Sequence, residues 1–136
     1  MFLLRVAKQF EKYKIPYALV GGHAVALYGA VRGTLDLDFI IKWNLKNLQN
    51  IELALNEIGL QSRLPINAQS VFDFRHEYIN NKNLIAWNFF NSLNLMEQID
   101  IIITSDLEHK KIKKFHLNNQ TVNVLGLDDL IHMKEK

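Results

Sequence analysis

Asp36 and Asp38 stand two residues apart in the otherwise apolar run LDLDFII (35–41). Gly21 and Gly22 stand together upstream, with thirteen residues between Gly22 and Asp36. Side chains two apart on a strand point to the same face. Carboxylates are costly to bury in apolar surroundings, and two held close repel each other unless a cation lies between them. Hard oxygen donors of this kind suit Mg²⁺ or Mn²⁺, and Mg²⁺ usually completes its shell with water and substrate phosphates. The glycine pair offers the complementary half. A helix start exposes unpaired N–H groups, and glycine lets a phosphate approach them closely. A third acid, Asp100, sits in QIDIII (98–103) among Ile99, Ile101, Ile102 and Ile103. If its strand lies beside the strand of Asp36 and Asp38, it meets them.

Elements must deliver these groups to one place. Leu3, Val6, Ala7, Phe10 and Tyr13 repeat at helical spacing over residues 2–14, and Pro16 ends that helix. Tyr17–Val20 reads as a short buried strand. Residues 23–29, rich in Ala, Val and Leu, read as a short helix ending at Gly29. A loop over Val31–Leu35 leads to a strand over Asp36–Lys42. Leu48, Ile51, Leu55 and Ile58 mark a further helix, stopped by Gly59. Residues 66–80 suggest a short helix or loop around Val71–Phe74. Leu84–Phe90 suggests a strand that Asn88 interrupts, and Met96–Thr104 a core strand. Phe115–Leu117 and Thr121–Leu125 flank Asn118-Asn119-Gln120 as a hairpin, and Asp128 caps a last helix through Met133. Helices and strands alternate early and strands pair late. This predicts an α+β fold, a mixed sheet flanked by helices, as a single domain over residues 1–136.

The segment GGHAVALYG..RGTLDLDF resembles the nucleotidyltransferase superfamily, which has the fold of DNA polymerase beta. It resembles a small bacterial branch that includes toxins of abortive-infection type and the minimal nucleotidyltransferases of toxin–antitoxin pairs. The resemblance covers Tyr17 to about Lys134. It implies Mg²⁺-dependent transfer of a nucleoside monophosphate from an NTP to an RNA end or to a protein or small-molecule hydroxyl. It further implies that Gly21 and Gly22 hold the triphosphate. Asp36, Asp38 and Asp100 then bind two Mg²⁺ (or Mn²⁺) ions, with Asp100 on the ion that activates the acceptor. Arg32 is a candidate for phosphate contact, and Thr34 for shaping the same loop. His23 stands where many members have serine, and its ring can still donate a hydrogen bond to phosphate.

The chain ends at GLDDLIHMKEK, where relatives in that branch continue in helix. The expectation is therefore a cognate partner protein or a small homo-oligomer that covers exposed apolar surface. The alternative function is a catalytically degenerate module of the same fold that acts through a protein partner.

Composition bounds these readings. With no cysteine, disulfides and thiolate metal sites are excluded, which fits a cytoplasmic location. A net charge of +2 is too small to announce a nucleic-acid binder. The N-terminal apolar run is broken by Arg5 and Lys8, unlike a signal peptide. Every apolar run falls short of the roughly 20 residues of a membrane span. The cluster His109-Lys-Lys-Ile-Lys-Lys-Phe-His116 is either a solvated loop or a grip on RNA phosphates. Trp87, Phe89 and Phe90 are expected in the core, whereas Phe72, Phe74 and Tyr78 could line an acceptor groove.

Overall fold

The computed structural model describes residues 1–28 and 36–134. The expected helix end at Gly29 and the loop Val31–Leu35, with Arg32 and Thr34, lie outside the described residues.

Helix α1 (Phe2–Lys12) buries Leu3, Val6, Ala7 and Phe10 on one face. Phe10 packs edge-on against Tyr17 and Phe39, with ring centroids 5.0 Å away in each case. Lys14, in the left-handed region at φ 54°, turns the chain before Pro16. Strand β1 (Tyr17–Val20), buried at all four positions, runs straight into helix α2 (Gly21–Leu27). The glycine pair is thus the first turn of the helix. Strand β2 (Leu37–Ile41) follows, then helix α3 (Leu45–Glu57), which is capped where Asn44 Oδ1 accepts from Asn47 N at 2.7 Å.

Strand β3 is only Gln61–Ser62. The ambiguous region 66–80 resolves into two helices, α4 (Ala68–Asp73) and α5 (Arg75–Lys82). The first is fixed by a capping box between Asn67 and Ser70. Strands β4 (Ala86–Asn91) and β5 (Asn94–Ile102) form a hairpin. Strands β6 (Ile112–Leu117) and β7 (Gln120–Leu125) form another, across Asn118 and Asn119. Both of these asparagines have positive φ, as a two-residue hairpin turn of the I′ type demands. Helix α6 spans Leu127–Lys134, with Asp128 and Asp129 in its first turn.

Among the described residues the strands form one seven-stranded mixed sheet in the order β3-β4-β5-β2-β1-β7-β6. Pairings β1–β2, β3–β4, β4–β5 and β6–β7 are antiparallel. Pairings β2–β5 and β1–β7 are parallel. The α+β expectation is met, and β5 does lie beside β2. The expected core aromatics Trp87 and Phe89 are fully buried, while Phe72 and Phe74 are exposed. Among the described residues, no helix is long and apolar enough to cross a membrane.

The end of α1 is tied to α3 by an exposed cluster. Lys12 Nζ and the Tyr13 hydroxyl both donate to Glu57. Hydrogen bonds from these two groups hold the Glu57 carboxyl down at about 2. A depressed carboxylate contributes stability above its unfolded value near 4.5 and loses it as pH falls toward 2. Glu57→Gln therefore lowers Tm at pH 7, and the gap to wild type closes by pH 2. Thermal melts at the two pH values check this.

Candidate active site

The site grows from the register of four neighbouring strands. Val20, the last residue of β1, pairs with Asp38. Asp38 pairs with Asp100 on the other side, and Asp100 pairs with Asn88. One row across the sheet therefore carries two carboxylates and an amide on a common face. Directly after Val20 the chain turns at Gly21, whose φ is +73°. A Cβ there would lie 2.3 Å from Asp38 Oδ2. Glycine at this position is what allows the helix start to sit against the carboxyl.

Asp38 is half-buried. Its carboxyl is pushed up to about 7, first by burial, then by the charge of Asp100 and that of Asp36, with a hydrogen bond to Asp100 acting in the same sense. Asp100 Oδ1 accepts from Asn88 Nδ2 at 2.7 Å. Asp36, just before β2, acts on Asp38 through its charge. Among the described residues, no group of three or more Asp, Glu, His or Cys side chains forms a ready metal cluster. What the fold brings together is the pair Asp38–Asp100, with Asp36 contributing to its field. Two carboxyls kept this close in a half-buried setting suit a divalent cation.

Asp38 opens on a cleft of about 680 Å³, with Asp100 beside it in the sheet. Gly21, Gly22 and Asp38 line it on one side. Ile102, Leu130 and Met133 give it an apolar wall, and Lys110 brings a cation to its edge. His23, on α2, is half-buried and does not line this cleft. Arg32 and Thr34 lie outside the described residues.

The basic cluster divides. Lys110 turns to the cleft, whereas Lys111, Lys113 and Lys114 are exposed at or beside the edge strand β6. Lysines on an edge strand also discourage pairing with other chains. The part α6 plays in the cleft was not anticipated from sequence, because an amphipathic helix looks the same whether it covers core or ligand.

No protein-family model matches the chain. No curated protein matches it in sequence. Its structure is similar to the solution structure of the antibiotic-resistance factor ANT(2'')-Ia, an aminoglycoside nucleotidyltransferase. The TM-score is 0.60 over 96% of this chain, at 10% sequence identity. The fold is that of a nucleotidyltransferase. This chain spans 66% of the length of ANT(2'')-Ia. At this identity the likeness establishes the fold alone.

Proposed function

We propose that the protein is a Mg²⁺-dependent nucleotidyltransferase, moving a nucleoside monophosphate from an NTP to an acceptor hydroxyl. The observation that carries this reading is the in-register pair Asp38–Asp100, of which Asp38 lines a cleft together with Gly21 and Gly22. Asp36, Asp38 and Asp100 are the residues that would hold two Mg²⁺ or Mn²⁺ ions. Bound there, the ions supply charge stabilisation to the entering and departing oxygens of an in-line displacement at the α-phosphorus. Gly21 and Gly22 receive the phosphates, with Arg32 and Thr34 as further candidates for nucleotide contact. Lys110 meets the negative charge at the cleft edge. The apolar wall of Ile102, Leu130 and Met133 takes the base or ribose. Asp100 orients the acceptor hydroxyl, whose oxygen gives up its proton to solvent and forms the new bond to phosphorus as the bond to pyrophosphate breaks.

The acceptor is an RNA end or a protein or small-molecule hydroxyl, and the resemblance of GGHAVALYG..RGTLDLDF to toxin-type nucleotidyltransferases implies a place in a toxin–antitoxin system with a cognate partner protein.

Calorimetric titration with ATP, GTP, CTP and UTP, with Mg²⁺ and with EDTA, tests the reading without knowledge of the acceptor. One nucleotide is expected to bind in Mg²⁺ and to lose that binding in EDTA and in Asp38→Ala. A well-folded wild type that binds none of the four overturns it and leaves the degenerate, partner-binding module.

A further inference from the structure

We infer that Arg63 and Asn88 are positioning residues that aim Asp100, forming a relay that runs across the sheet from the edge strand to the acceptor side of the site. This rests on the nucleotidyltransferase reading of Asp100 given above.

The first step is hydrogen-bond polarity. Arg63 Nε lies 2.8 Å from Asn88 Oδ1, and Asn88 Nδ2 lies 2.7 Å from Asp100 Oδ1. A guanidinium can only donate. Arg63 therefore requires the oxygen end of the Asn88 amide, in agreement with the Ile99 carbonyl, which accepts from Nδ2 at 3.4 Å. The NH₂ is left facing Asp100 and must donate. Asp100 Oδ1 is thereby held as an acceptor, and the remaining oxygen of the carboxylate is the one left for Asp38 and a cation. Without Arg63 the amide could turn over and present its oxygen to the carboxylate, an unfavourable contact between two acceptors.

Arg63 is itself held in place. Its main-chain N–H donates to the carbonyl of Asn88 at 3.0 Å. Its Nη2 donates to Gln98 Oε1 at 3.2 Å, and its guanidinium stands 4.6 Å above the Phe90 ring. These partners are two amides and a ring, so the charge of Arg63 stays uncompensated by any of them. The two-residue strand β3 directly before it is pinned by Gln61↔Phe90 and Ser62↔Phe89. The Trp87 indole N–H donates to Ser62 Oγ at 2.9 Å. So short a strand buries little. Its evident consequence is to set Arg63 at the end of the row Asp38–Asp100–Asn88.

Partners that orient a metal-holding carboxylate typically change metal affinity 10–100-fold when removed. The test is Mn²⁺ binding to the full chain, followed by electron paramagnetic resonance, beside thermal melts in EDTA and Mg²⁺–nucleotide calorimetry. Asn88→Ala is expected to weaken Mn²⁺ binding 10–100-fold while leaving a cooperative melt. Arg63→Met shifts affinity in the same direction, and the double variant is no worse than Asn88→Ala alone, because both act through one carboxylate. Arg63→Lys restores charge without the planar fork and does not rescue. Wild-type Mn²⁺ affinity in Asn88→Ala and Arg63→Met would overturn the relay alone. So would additive losses that track a falling Tm, since that is a structural role only. A wild type that binds neither Mn²⁺ nor nucleotide overturns the parent reading, and the relay with it.

Discussion

Asp38→Asn should make the metal-free protein more stable and the metal-loaded protein inactive. The wild-type carboxyl is raised from 3.8 to about 7. A carboxyl raised in the folded state binds its proton more tightly folded than unfolded. Its contribution is therefore fully present below pH 4 and is lost as pH climbs toward 7. Above that, the folded protein carries a charge it is poorly built to solvate, next to Asp100 and Asp36. The full shift corresponds to about 4 kcal/mol. Solvent in the cleft screens a half-buried group, so we expect roughly 1–2 kcal/mol. Asparagine removes the charge at nearly constant shape. In EDTA at pH 8 its Tm should exceed wild type by about 3–8 °C, and the two should converge near pH 4.

Mg²⁺ with nucleotide should then raise the wild-type Tm, as any ligand of the folded state does, and leave the variant unmoved. Nucleotidyl transfer should fall by at least about a hundredfold, as for loss of one group that stabilises developing charge. Paired melts at the two pH values, with and without Mg²⁺, decide it. A variant less stable than wild type at pH 8 in EDTA would mean that Asp38 is a structural hydrogen-bonding group and not a carboxyl kept for a cation.

The stability cost at Asp38 explains why its segment stood out in the sequence. Within LDLDFII the acids alternate with Leu37 and Phe39, so the strand pattern holds while two charges fall on one face of an apolar run, and Asp100 likewise sets a charge within QIDIII. Both were readable because a charge in an apolar strand has few benign explanations. The parallel pairing of β2 with β5 was only conditional, since a non-local pairing has no local signature. The register Asp38↔Asp100 had to come from the structure. Asn88 carried a signal of the same type, a polar residue inside a strand, but its weight fell on the strand assignment instead of on what a half-buried amide must bond. Arg63 had no signal at all, because it lies just past a strand of two residues. Of the two helices over 68–82, the first answers to the short helix read around Val71–Phe74, and the second escaped for a related reason. The second of them buries no side chain, so no apolar stripe announces it. Lys110 was visible only as one member of a basic run, and position alone separates it from its exposed neighbours.

The two glycines, alike in sequence, should behave oppositely. Gly21 occupies the left-handed region at φ +73°, and Gly22 does not share that conformation. Alanine at 21 meets two obstacles. The backbone conformation is strained for any L side chain, at about 1–3 kcal/mol. The added methyl would also stand 2.3 Å from Asp38 Oδ2, 3.1 Å from Cγ and 3.2 Å from Cβ. Turning the carboxyl aside relieves the first contact only by moving Asp38 out of line with Asp100, and the approach to Cβ remains. Gly21→Ala should therefore cost about 2–3 kcal/mol of stability and abolish Mg²⁺-dependent nucleotide binding together. Gly22 sits within the helix, where alanine is favoured over glycine by up to about 1 kcal/mol. Gly22→Ala should keep or raise Tm, yet weaken nucleotide binding, because a methyl group then stands where phosphate must approach the backbone N–H groups. Denaturant melts and calorimetry on the two variants separate these roles. Equal nucleotide affinity in Gly22→Ala and wild type would remove phosphate from that end of the cleft. A stable Gly21→Ala with unchanged Mn²⁺ affinity would mean that the close seat of Asp38 against the helix start is not needed for the cation.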